Sequence, residues 1–155
     1  MPFGTAGVCT PGTIGDGGEE DFVMAARVLL VEDNPANLAL MQYLLKASGY
    51  ATLTAGDGRE GVAVAEHESP DIILMDLQMP IMNGYEAARE MREVPALRGV
   101  PIIAVTAYAM VGDRDKILAR GFDGYIAKPI APERFVAEVE AFISQALRAD
   151  QAARR

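Results

Sequence analysis

Ile72-Ile73-Leu74-Met75-Asp76-Leu77-Gln78-Met79-Pro80 is a run of four apolar residues that ends on a carboxylate and then breaks into a loop. A short apolar run bounded by turn residues suits a strand buried on both faces, as in a parallel sheet covered by helices. Two other segments repeat it: Val28-Leu29-Leu30-Val31 runs into Glu32-Asp33, and Ile102-Ile103-Ala104-Val105 runs into Thr106. In an open parallel α/β sheet the carboxyl ends of the strands converge on one crevice, where such folds bind ligands. The pattern therefore predicts a single site shared by three carboxylates, a hydroxyl and Lys128, with Asp76 as the candidate nucleophile.

From Arg27 onward, apolar runs alternate with helix-period segments in five repeats, the mark of one parallel sheet with helices on both faces. A strand over 27–32 leads to Asn34 as N-cap, Pro35 at the first helical position, and Leu38, Met41 and Leu45 on one helix face. Gly49 stops that helix. A strand near 51–54 precedes Asp57-Gly58-Arg59-Glu60, which reads as a capping box with Asp in place of Ser or Thr. Strand 71–76, a helix over 85–93 and strand 101–105 follow. Asp113 is placed to cap a helix carrying Ile117 and Leu118 that Gly121 closes, and 124–127 forms the last strand. The final helix starts near Pro132, with Phe135, Val139, Phe142 and Ala146 as a core-facing stripe.

The 155 residues are half apolar, which suits one domain with a substantial core. No apolar stretch approaches the roughly 20 residues that span a bilayer, and the opening Met1-Pro2-Phe3-Gly4 lacks the features of a signal peptide. A cytoplasmic protein is expected. The single cysteine, Cys9, excludes an internal disulfide. A net charge of −8 argues against direct nucleic-acid binding. Half of that excess is Asp16, Glu19, Glu20 and Asp21, in a Gly-rich stretch with no structural period. The expected organisation is a disordered extension over 1–24, a domain over 25–147 and a frayed tail over 148–155.

Glu32 and Asp33 lie side by side after a strand, and Asp76 faces them across the sheet's carboxyl edge. Alone, Glu32-Asp33 is more often a solvated loop pair; three strand ends in agreement favour a site. Clustered carboxylates repel unless a cation neutralises them, and an all-oxygen site with room for water suits Mg²⁺ better than Zn²⁺. A carboxylate nucleophile can take up a phosphoryl group as an acyl phosphate. Thr106 either hydrogen-bonds a phosphoryl oxygen on Asp76 or satisfies a turn. Lys128 is a surface lysine or an ammonium that reaches into the acidic crevice, and Pro129 after it tolerates the cis peptide that would turn the chain sharply.

These pieces together resemble a response-regulator receiver domain of the CheY-like family. The resemblance covers Arg27 to Leu147 and rests on Val31-Glu32-Asp33-Asn34, Asp76-Leu77-Gln78-Met79-Pro80 with Gly84, Val105-Thr106-Ala107, and Tyr125-Ile126-Ala127-Lys128-Pro129. The segments Thr106-Ala107-Tyr108-Ala109-Met110 and Gly121-Phe122-Asp123-Gly124-Tyr125 are similar to stand-alone cell-cycle receivers and to receivers attached to hybrid histidine kinases. The resemblance implies a flavodoxin-like (βα)5 fold with strand order 2-1-3-4-5. It implies that Asp76 accepts phosphate from a histidine kinase or histidine phosphotransferase in a two-component phosphorelay. Mg²⁺ would be held by Asp33, Asp76 and the backbone carbonyl of Gln78, with Glu32 acting through water. Thr106 and Lys128 would hold phosphoryl oxygens, Thr106 and Tyr125 would form the switch, and Gln78 and Tyr108 would tune the phosphoryl lifetime.

The expected output is protein–protein binding to an unknown downstream partner, with a phosphorylation-dependent homodimer among the options. The only reaction expected is phosphorylation and dephosphorylation of Asp76 itself. His67, the one histidine, reads as a surface residue rather than a phosphocarrier. Two alternatives stand beside this reading: a receiver module from a hybrid histidine kinase, and a Mg-dependent haloacid-dehalogenase-like phosphatase. The phosphatase needs a second acid two residues after the nucleophile, where this chain has Gln78.

Overall fold

The computed structural model describes residues 26–107 and 113–153, with side chains through Ser144. The extension over 1–24 and Tyr108 lie outside the described residues. In chain order the elements are β1 (Arg27–Val31), α1 (Pro35–Ala47), β2 (Ala51–Ala55), α2 (Gly58–Glu68), β3 (Ile72–Asp76) and α3 (Gly84–Arg92), followed by a 3₁₀ turn (Pro95–Leu97), β4 (Ile102–Thr106), α4 (Asp113–Ala119), β5 (Gly124–Ala127) and α5 (Pro132–Ala153). All four strand pairings are parallel, in the order β2-β1-β3-β4-β5. This is the expected doubly wound sheet, with Thr106 as the last residue of its strand rather than the first after it.

Side chains alternate between faces along each strand, so the sheet feeds two cores. Leu29, Val31, Ile73, Met75 and Ala104 pack with Ala65 of α2, Ala87, Ala88 and Met91 of α3, and Ile117 of α4. Val28, Leu30, Ile72, Leu74, Ile103 and Val105 pack with Met41 and Leu45 of α1 and with Phe135 and Val139 of α5. β3 and β4 are buried at every position, as their unbroken apolar sequences require, whereas edge strand β2 is partly exposed. α4 buries Ile117 but leaves Leu118 39% exposed, so only the first of that pair belongs to the core.

Helix ends follow local chemistry, with corrections to the sequence reading. Asn34 caps α1 through Asn37 N–H, and Gly49 after α1 and Gly121 after α4 take the positive φ values that favour glycine. Asp57 accepts from Glu60 N–H, but the Glu60 carboxylate reaches back to Gly56 N–H at 2.8 Å, so the pair there is not reciprocal. The reciprocal capping box is Asn83 with Glu86, and it starts α3 one residue before the expected Tyr85. Asp113 is the first helical residue of α4, where its charge complements the positive end of the helix. α5 continues to Ala153 through residues 148–153, expected as frayed; that Ala-, Arg- and Gln-rich stretch has high helix propensity.

Arg92 ties the far end of the α3–β4 region together. Its guanidinium donates to the carbonyls of Gly121, Leu97, Arg98 and Val100 and to the Asp123 carboxylate, which also accepts Ile102 N–H at 2.9 Å. One arginine thus satisfies several loop carbonyls and sets where β4 begins.

Candidate functional site

The register places the chemically active residues level with one another. Val31 pairs with Met75, Asp76 with Val105, and Thr106 with Ala127, so Glu32, Asp76, Thr106 and Lys128 all emerge at the same sheet edge. With Asp33, Asn34, Asn37, Gln78 and Ala107 they line one cleft of ≈ 230 Å³. Gly84 holds the floor: a Cβ there would collide with the Asp76 carbonyl oxygen and lie 2.9 Å from Leu77 Cα, while its N–H donates to Leu77 O at 3.0 Å. The start of α3 is thereby folded back against the backbone of Asp76.

Two of the three carboxylates are buried. Glu32 and Asp76 are nearly inaccessible, whereas Asp33 is exposed. Asn34 N–H donates to Glu32 Oε2 at 3.1 Å, which turns the other oxygen inward. Lys128 Nζ lies 2.9 Å from Glu32 Oε1 and 3.5 Å from Asp76 Oδ1, while its own N–H donates to Thr106 O at 2.8 Å. The Lys128–Pro129 peptide is cis. Gln78 N–H donates to Asp76 Oδ1 at 3.3 Å. Burial, and then the neighbouring Glu32 carboxylate, push the Asp76 carboxyl up from the ordinary range to about 6; the Lys128 ammonium and Gln78 N–H pull the other way and do not prevail.

The donor set fits a hard divalent cation. One oxygen from each of Glu32, Asp33 and Asp76 lies within 4.8 Å of the others. Glu32 Oε1 is buried without a hydrogen bond: Lys128 supplies charge at ion-pair distance but no bond of suitable direction. An orphaned anionic oxygen, a carboxylate held partly protonated near neutrality, and an exposed third carboxylate are what a site short of positive charge shows. Oxygen-only donors beside open water suit Mg²⁺-type coordination.

The structure brings together Glu32, Asp33, Asp76, Gln78, Thr106 and Lys128 as the sequence predicts. Tyr125 is not among the cleft residues; it is half-buried on β5 against the core that holds α4. His67 is 85% exposed on α2. Sequence reading gave no site role to three cleft residues: Asn34, legible as a helix cap, Ala107, which follows Thr106, and Asn37, which sits in the first turn of α1 with no pattern to single it out.

The chain matches the response regulator receiver domain family over residues 28–140. It is 40% identical over 123 residues, 79% of this chain and 100% of the relative, to the polar-differentiation response regulator DivK of Brucella ovis. Among solved structures it is similar to the receiver domain of sensor histidine kinase PA1611 from Pseudomonas aeruginosa PAO1, which has a magnesium ion coordinated in its active-site cleft (40% identity, 78% of this chain and 96% of that one, TM-score 0.69). It is also similar to the chemotaxis protein CheY4 of Vibrio cholerae (30% identity, 76% and 98% covered, TM-score 0.72).

Proposed function

This chain belongs to the response regulator receiver domain family, a signalling family of two-component systems, and on that premise we propose that Asp76 is its phosphoacceptor. The observation that carries the reading is the buried Asp76 carboxylate with Lys128 Nζ 3.5 Å away and Thr106 in the same cleft. Phosphoryl transfer depends mainly on positioning and charge stabilisation, and this cleft offers both. The receiver unit is read as residues 25–147.

Asp33, Asp76 and the Gln78 carbonyl would hold Mg²⁺, with Glu32 reaching it through water; bound there, the ion neutralises phosphoryl oxygens. Asp76 presents an in-line oxygen to the phosphorus of a phosphohistidine. Lys128, anchored by Glu32 at 2.9 Å, keeps its ammonium at the rim, where one ion pair exchanges for another as charge builds on the phosphoryl group. Thr106 supplies a hydroxyl beside it. Gln78 and Tyr108 tune the rate at which water returns, and Pro129 shapes the turn behind Lys128. A change at Thr106 repacks Tyr125, giving a local charge event a readable surface.

The donor is a histidine kinase or histidine phosphotransferase and the receiver of the message another protein. Phosphorylation-dependent pairing of two copies is compatible with that output. Among the described residues no helix is long and apolar enough to cross a membrane, which supports a cytoplasmic setting. Identity across the whole of the Brucella ovis regulator supports a response regulator over a kinase-attached receiver, and Gln78 in place of a second acid speaks against the phosphatase alternative. Incubation with acetyl phosphate and Mg²⁺ tests the reading. The native chain should take up one phosphoryl group and Asp76→Asn none; uptake in both, or in neither, would sink it.

A further inference from the structure

We propose that Asn37 positions the water that hydrolyses the phosphoryl group on Asp76, and so sets how long the signal lasts. The inference rests on the reading of Asp76 as phosphoacceptor. Asn37 lines the same cleft as Asp76 and Thr106. Its backbone N–H is committed to the Asn34 cap at 3.0 Å, which fixes where α1 presents it. Its carboxamide makes no hydrogen bond to any described residue, and the residue is half-buried. A carboxamide carries two donors and an acceptor, so a half-buried one without a partner among the described residues has hydrogen-bonding capacity to offer water or ligand.

The charged residues of the cleft cannot hold a nucleophilic water as well. Glu32 is engaged by Lys128 and by Asn34 N–H, and Lys128 is an ammonium with no acceptor. Asp33 would serve the cation that the carboxylate cluster could hold. A neutral amide that accepts from one hydrogen of water leaves the oxygen lone pair free to attack without adding negative charge opposite the phosphoryl group. In the step, the water oxygen bonds to phosphorus as the bond from phosphorus to the Asp76 oxygen breaks. The electron pair returns to the carboxylate, hydrogen phosphate leaves, and one proton passes to solvent.

The test measures phosphoryl lifetime after loading with acetyl phosphate and Mg²⁺, in the native chain, Asn37→Ala and Asn37→Leu. Both replacements favour helix, and Leu keeps the branched shape of the side chain while removing every side-chain hydrogen bond. Loss of one neutral hydrogen bond to the attacking water should lengthen the lifetime about three- to tenfold in both variants. The loading rate, the Mg²⁺ affinity read by titration and the thermal midpoint should stay within about twofold or a few degrees of native. An unchanged or shortened lifetime overturns the proposal. So does a longer lifetime accompanied by weakened Mg²⁺ binding, which would place Asn37 in the cation's support. If the native chain takes up no phosphoryl group at all, the reading of Asp76 has failed instead.

Discussion

Replacing Asp76 by Asn should make the protein more stable, and the gain should depend on pH. The carboxyl is raised from 3.8 to about 6 by burial and by Glu32, so the folded state holds its proton more tightly than the unfolded chain does. Below both values the group is protonated in either state and costs nothing. As pH rises between them the unfolded chain ionises freely while the folded one resists, and above about 6 the penalty is complete. About two pH units at roughly 1.4 kcal/mol each give about 3 kcal/mol at pH 7.5, falling to about 1 kcal/mol at pH 4.5. The Asp76 side chain is only 9% exposed, so solvent screening trims this little. Asn matches the shape of the protonated acid and still accepts Gln78 N–H. Urea denaturation in EDTA, at both pH values, reads the difference between the two proteins. A destabilised Asn variant, or a gain of the same size at both pH values, would refute the electrostatic account of the cleft.

Lys128→Met should destabilise the fold by about 3 kcal/mol in urea denaturation, because it leaves the buried Glu32 carboxylate without its cation; a loss below about 1 kcal/mol would show that Glu32 is otherwise neutralised. Mg²⁺ affinity, followed by calorimetric titration, should weaken as pH falls through about 6, where the proton on Asp76 competes; affinity flat between about pH 7.5 and 5 would remove Asp76 from the cation site. Ile81 has φ 70° and lies in a γ-turn closed by Met82 N–H to Pro80 O at 2.7 Å, with 74% exposure, so Ile81→Asn should gain about 1 kcal/mol by relieving a conformation β-branched residues avoid. A lowered denaturation midpoint would contradict that.

The parts of the fold that were legible in the sequence are those set by local rules. The apolar runs ending in Glu32, Asp76 and Thr106 disclosed the sheet and its active edge, because a strand buried on both faces leaves little choice of residue. Lys128 was legible through its motif, and the structure adds that its nearest partner is Glu32 rather than Asp76. Contacts made across distance in the chain were not legible. Arg92 reads as an ordinary helix-surface cation until its carbonyl partners between Leu97 and Gly121 fold around it. Asn83-x-x-Glu86 and Asp57-x-x-Glu60 look alike as caps, yet only the first is reciprocal, since Gly56 N–H competes for Glu60. Asn37 was invisible because a polar residue in a first helical turn needs no explanation until a cleft opens beside it.

The most direct test of the central claim is to trap the phosphorylated residue itself. After loading with acetyl phosphate and Mg²⁺, borohydride reduces an aspartyl phosphate to homoserine, which peptide mapping then locates in the chain. The account predicts homoserine at position 76 and nowhere else, and none when Mg²⁺ is withheld. Homoserine at position 33, or a phosphoryl group recovered on a hydroxyl such as Thr106, would contradict it.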